Sequence, residues 1–146
     1  MGMTPTGGVI MGTRGGDLDP GVLLYLLRTK NITADTLEGL VDLRSGLLGI
    51  SCVSSDMRHL REAVAPNGDA RLAIEMFCYS VRKQAAGMIA ALSGLDMLVF
   101  TGGIGENDAE VRARSAMGWP GPALVSRTVG IGLREARSAT WRRAAR

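Results

Sequence analysis

Residues 96–107 read Asp-Met-Leu-Val-Phe-Thr-Gly-Gly-Ile-Gly-Glu-Asn, and the fold class turns on them. The segment Asp96 to Phe100 carries a short continuous apolar run, which suits a strand buried on both faces. It leads straight into the glycine loop Thr101–Asn107, after which Asp108 to Arg114 resumes as helix. Upstream, Asp69 to Ser93 is the clearest helical stretch of the chain, closed by Gly94. Helix, buried strand, glycine loop and helix in that order predict an α/β class. A glycine loop in this position leaves backbone amides open to an anion, and the missing Cβ atoms let a flat ligand come close. A plain tight turn has the same sequence pattern. The loop fits neither GxGxxG nor GxxxxGK[ST], which argues against a Rossmann or Walker-type site.

In the Asp69–Ser93 helix, two apolar rows lie side by side. One is Ala73, Phe77, Val81, Ala85 and Ile89; the other is Leu72, Met76, Met88 and Leu92. Arg71, Glu75, Arg82 and Lys83 take the opposite face. A turn at Pro66-Asn67-Gly68 precedes this helix, and Ser54-Ser55-Asp56 is a strong start signal for a helix over Met57 to Val64. Ser45 to Ser51, flanked by glycines, reads as a buried extended segment. A short helix is expected over Thr36 to Leu43. Asp19-Pro20 opens another, with Val22, Leu23, Leu26 and Leu27 at helical spacing and Lys30-Asn31 closing it. The first 16 residues hold six glycines, a turn-rich stretch.

Two further constellations could carry chemistry. In Met11-Gly12-Thr13-Arg14-Gly15-Gly16-Asp17-Leu18-Asp19-Pro20 the Arg14 guanidinium sits among glycines, where it can be offered to a phosphate or carboxylate. The plain reading makes Arg14 a loop charge and Asp19 a cap. Val53-Ser54-Ser55-Asp56-Met57-Arg58 gathers hydroxyls, a carboxylate and an arginine at a helix start; capping explains Ser55 or Asp56 and leaves Arg58 open. His59, the single histidine, lies in a polar stretch and reads as solvated, and Cys78 reads as a core residue. No Ser/His/Asp or Cys/His set can be assembled.

With 146 residues, 46% hydrophobic and 21% charged, the chain is long enough to fold around a core. Its two cysteines, Cys52 and Cys78, exclude a disulfide framework or CxxC zinc site and fit a reducing, cytoplasmic setting. No apolar run reaches the ~18–20 residues of a membrane span, and Met1 to Gly8 has no secretory pattern. The net charge of +3 is unevenly spread. Residues 1–114 hold 11 Lys and Arg against 13 Asp and Glu, a net of −2; residues 115–146 hold 6 Arg against Glu135 alone, a net of +5. Trp119 and Trp141 also lie in this tail. An irregular basic extension is favoured over a nucleic-acid arm, because short basic patches are common.

Taken in register, Met1–Pro5, MGTRGGDLDP at 11–20, SGLLGISCVSSDMR at 45–58 and VFTGGIGENDAEVRAR at 99–114 resemble the acetate kinase family of acetate, propionate and butyrate kinases. The resemblance covers residues 1–114. It implies part of an actin/sugar-kinase/Hsp70-like fold, mainly its C-terminal nucleotide-binding domain. The implied reaction is reversible transfer of the γ-phosphoryl group of ATP, with Mg²⁺, to acetate or another short carboxylate. Arg14 matches the arginine that stabilises charge on the phosphoryl group in flight. Asp56, Met57 and Arg58 match a segment that helps to hold the nucleotide, and Gly103, Ile104, Gly105, Glu106 and Asn107 match a loop that packs against adenosine.

The departures shape the expectation as much as the matches do. In the family, the segment matched by Met1–Pro5 continues upstream. The resemblance therefore implies a chain that begins partway through the fold, without a catalytic Asp, a second phosphate-stabilising His, the carboxylate-binding Arg and a first phosphate-binding glycine loop. His59 does not match that histidine, no metal-associated glutamate is matched after Arg114, and Glu135 is not assigned to that role. From Ser115 the likeness stops. The Arg/Gly/Ala/Trp content there suggests a reading-frame change near residues 114–116, with a partial return around Gly132 to Ser138. The expected states are a truncated kinase with weak nucleotide binding, a non-catalytic remnant, or one half of an enzyme whose N-terminal half is separately encoded; a homodimer is a further expected assembly.

Overall fold

The computed structural model describes residues 3–95 and 97–117. The chain divides into two compact units, Met1–Val81 and Arg82–Arg146. All regular structure among the described residues is helical.

In the first unit, α1 (Pro20–Thr29) starts where the sequence indicates: the Asp19 carboxylate accepts from the Gly21 amide at 2.8 Å and Pro20 takes the first helical position. Thr33 caps α2 (Ala34–Glu38), which continues into a five-residue π-helical turn, Gly39–Leu43, where one α-helix was expected. Next come α3 (Gly46–Ser51), α4 (Met57–Ala63) and α5 (Gly68–Ala91), a 24-residue helix that runs from the first unit into the second. The second unit adds α6 (Gly102–Asn107) and α7 (Ala109–Ala116). No helix among the described residues is long and apolar enough to cross a membrane.

The core of the first unit consists of Leu47, Met57, Leu60, Ala70, Ala73, Ile74 and Cys78, contributed by α3, α4 and the start of α5. On α5 the buried stripe is Ala70, Ala73, Ile74 and Cys78, spaced as one helical face requires. Leu72, Met76, Met88 and Leu92, the second apolar row of the sequence, are exposed. The reason is angular. Each residue turns a helix by about 100°, so Leu72 and Met76 point about 200° away from Ile74 and Cys78, whereas Met88 and Leu92 lie beyond the stretch of chain that carries the buried stripe, which ends at Cys78. Cys52 and Cys78 are both free thiols, and His59 is exposed as expected.

Two expected extended segments are corrected. The segment read over Ser45 to Ser51 is instead the helix α3 (Gly46–Ser51) with Ser45 as its N-cap, and Leu47 and Ser51 are buried. A short apolar run is compatible with either a buried strand or a buried helix turn. Here the amides of Ser45, Leu47 and Leu48 find acceptors on another segment, the carbonyls of Thr13, Met11 and Gly12, and helix results. Residues 97–100 carry no strand, and Met97 and Val99 are about half exposed. A strand needs a neighbour for its amides and carbonyls, and no strand is present among the described residues. The α/β order read from 96–107 is therefore not seen among these residues. Asp96 and the basic tail from residue 118 onward, including Trp119, Trp141 and the proposed frame change's return at 132–138, lie outside the described residues.

Candidate functional site

The loop bearing Arg14 is held from two sides. Its carbonyls at Met11, Gly12 and Thr13 accept from the amides of Leu47, Leu48 and Ser45 at 2.9 Å each, so the start of α3 serves as its anchor. From the π-helical turn, the Val41 carbonyl accepts from the Gly15 amide at 3.2 Å and the Asp42 carbonyl accepts from the Thr13 hydroxyl at 2.7 Å. Gly46 makes the closest approach. Its φ is +63°, and a Cβ there would collide with the carbonyl oxygens of Met11 and Arg14 and with the Arg14 amide nitrogen. Only glycine combines that backbone angle with that proximity. The Arg14 side chain is partly exposed; Nε lies 4.0 Å from Asp42 Oδ1, and Nη1 lies 3.8 Å from Met11 Sδ.

The Ser54–Arg58 segment lies beside this loop. A Cβ on Gly12 would sit 3.0 Å from the Ser55 carbonyl oxygen, so the two backbones are in near contact. The turn entering the segment is organised by Ser51, 1% exposed, whose hydroxyl accepts from the amides of Val53 and Ser54 at 3.2 and 3.3 Å. Cys52 takes a left-handed conformation, φ 54°, to make this turn. Sequence reasoning did not single out Ser51. A buried serine just before a helix-start cluster was the available signal, and it gives no hint of which amides the hydroxyl serves.

Asp56 caps α4, accepting from the Arg58 amide at 2.8 Å. It also receives both Arg58 Nε and Nη2, at 3.3 and 2.9 Å. The side-chain bonds from Arg58, followed by the bond from its amide, hold the Asp56 carboxyl far below the usual carboxylate range; the same partnership raises the Arg58 guanidinium. Arg58 thus belongs to the capping arrangement that the sequence left it outside of, and its side chain is still 86% exposed. Met57 is 4% exposed, so what it can offer a ligand is backbone.

Gly103, Ile104, Gly105, Glu106 and Asn107 lie in the second unit, in α6 rather than in an open loop. The turn is closed by its own side chains. Glu106 Oε1 accepts from the Gly102 amide at 3.1 Å, and Asn107 Nδ2 donates to the Gly103 carbonyl at 2.9 Å. Arg112 Nη1 donates to the carbonyls of Gly105 and Glu106 at 3.0 and 2.8 Å. The expected free amide at the start of this turn is therefore taken by a carboxylate, which disfavours an anion there. Around Gly102 and Gly103 a Cβ would meet nothing within 4 Å, while Gly105 packs on Phe100. A bare glycine surface of this kind suits the flat face of a base better than a phosphate.

Among the described residues no group of three or more His, Cys, Asp or Glu is placed to hold a metal ion.

The model for the acetokinase family matches residues 1–119, and the chain belongs to that family. Among curated relatives, the acetate kinase of Brachyspira hyodysenteriae is 51% identical over 114 residues, covering 78% of this chain and 29% of that protein. The crystal structure of Porphyromonas gingivalis acetate kinase superposes with a TM-score of 0.77 at 43% identity, over 80% of this chain and 30% of that one. A propionate kinase from Francisella tularensis gives 0.73 at 40% identity, over 79% and 30%. The chain thus spans about 30% of the length of the relatives it matches.

Proposed function

We propose that this chain is the nucleotide-facing part of a carboxylate kinase of the acetate-kinase type, with the α/β actin/sugar-kinase/Hsp70-like architecture of such enzymes. The reaction of the whole enzyme is reversible transfer of the ATP γ-phosphoryl group to acetate or another short carboxylate, giving an acyl phosphate, in the cytoplasm. Phosphoryl transfer depends on positioning and on positive charge about the equatorial oxygens, and in this reading Arg14 supplies that charge. The Asp56–Arg58 turn helps to hold the nucleotide, and residues 103–107 offer the glycine surface on which adenosine rests. The observation that carries the reading is local. Two matched segments, 11–20 and 45–58, lie together, with Gly12 against Ser55 and the Arg14 loop hung on the first amides of α3.

Titrating the full chain with MgATP in a calorimeter tests binding; weak, measurable heat that disappears in Arg14→Ala supports the reading, and no heat at millimolar nucleotide opposes it. A second reading is a remnant or half-enzyme without turnover of its own. It predicts no detectable acetyl phosphate from the purified chain, with activity gained only when the missing portion is supplied. Acetyl phosphate made by the chain alone contradicts it. The boundary at 114/115 belongs to the same reading: translating the other two frames of the coding DNA restores family-like sequence beyond Arg114 if a frame change produced the tail.

A further inference from the structure

We infer that Asp42 is a positioning residue for Arg14, holding the inner edge of its guanidinium so that the outer edge faces an incoming phosphoryl group; the role rests on the nucleotide reading above, whereas the contact stands by itself. Asp42 lies in the π-helical turn Gly39–Leu43, a geometry that departs from the helix preceding it and is often found at functional sites. It is tied at both ends. Its Oδ1 accepts from the Thr6 hydroxyl at 2.8 Å, and its carbonyl accepts from the Thr13 hydroxyl at 2.7 Å. With Val41 receiving the Gly15 amide, the π-helical turn engages residues 13, 14 and 15 in succession. Arg14 Nε is buried and makes no hydrogen bond, and Asp42 Oδ1 stands 4.0 Å from it. At that separation the two opposite charges face each other without a hydrogen bond. The guanidinium as a whole remains 38% exposed, which leaves part of it available to an outside anion.

Two simpler roles for Asp42 give different outcomes. If it only braced the loop through Thr6 and Thr13, the Arg14 side chain would be indifferent to its charge. If it acted only through its field, removing its negative charge would strengthen anion binding at Arg14. Positioning predicts the reverse, because an arginine free to turn away loses its orientation.

The test follows the Nε–Hε resonance of Arg14 in the full chain, with exposed Arg28 as reference. In the unmutated protein, Hε of Arg14 exchanges with solvent at least about tenfold more slowly than that of Arg28. Asp42→Asn, which keeps an oxygen for Thr6, brings the two within about twofold, Asp42→Glu restores most of the difference, and the Leu47 and Leu60 amides stay protected. With MgATP as the probe, Asp42→Asn weakens binding by about tenfold. Equal exchange of Arg14 and Arg28 in the unmutated protein overturns the inference, and that measurement needs no variant to fold. So does unchanged Arg14 exchange in Asp42→Asn, or tighter MgATP binding by that variant. Should the exchange results hold while MgATP leaves Arg14 unmoved in the unmutated protein, the contact stands and the nucleotide reading of Arg14 fails.

Discussion

The loop around Arg14 and the turn 102–107 are both rich in glycine, yet they are held in opposite ways. The first is fixed by partners distant in sequence: amides at 45, 47 and 48, and carbonyls at 41 and 42. The second is fixed by near neighbours in sequence: Glu106 on the Gly102 amide, Asn107 on the Gly103 carbonyl, and Arg112 of α7 on the carbonyls of Gly105 and Glu106. In the first, a glycine is needed because backbone crowds against backbone. In the second, Gly103 faces open space, so any need for glycine comes from what approaches from outside.

Substituting the glycines is the sharpest way to break that contrast. Gly46→Ala should be the most damaging change, since it combines a left-handed conformation, unfavourable by about 1–2 kcal/mol for an L-residue, with collisions against the Met11 and Arg14 backbone. Urea unfolding monitored by circular dichroism should show a loss of several kcal/mol, on the order of 3 or more. Wild-type stability in this variant would mean that the start of α3 does not sit against the Arg14 loop. Leu47→Ala, at a side chain with no exposed surface, is expected to cost about 2–5 kcal/mol in the same measurement. Ser51→Ala, which strips the amides of Val53 and Ser54 of their acceptor, should cost about 1–3 kcal/mol.

Gly103→Ala should sit at the other extreme. It is expected to change stability by about 0.5 kcal/mol or less while weakening adenine-nucleotide binding, read by calorimetry. Equal nucleotide affinity in this variant would remove the functional meaning from the bare surface of α6.

The smallest effect belongs to the cap of α4. Because the folded-state pKa of Asp56 is depressed, its contribution to stability is fully present above the ordinary value of 3.8 and is lost as pH falls below that value toward the depressed one. Asp56→Asn should therefore flatten the acid limb of the stability profile below pH 3.8 and leave neutral-pH nucleotide-free spectra unchanged. An acid limb identical in both proteins would show that the Arg58 pairing does not persist in solution.

What was legible in the sequence divides along the same local and non-local line. The Asp19-Pro20 start, the Asp56 cap and the long helix α5 were readable because their causes lie within a few residues of one another. Helix α3 was not, since its first amides are satisfied by carbonyls more than thirty residues earlier, and an apolar run flanked by glycines does not reveal that. The row Leu72, Met76, Met88 and Leu92 misled for a related reason: spacing of four shows that residues share a face, not which face is covered. The strand expected at 96–100 depended on a ladder partner that periodicity cannot supply. Of the candidate site, Arg14, Asp56 and the glycines were identifiable as residue types in context. The supporting roles of Asp42, Ser51 and Arg112 exist only once the backbone has brought them to their acceptors and donors.

The most direct trial is a nuclear magnetic resonance titration of the full chain with MgATP and, separately, with adenosine. If Arg14 faces phosphate, MgATP moves its Nε–Hε resonance and adenosine does not; if residues 103–105 face a base, each ligand moves the amides of Gly103 and Gly105. Millimolar MgATP that leaves Arg14 and both glycines where they were would contradict the assignment.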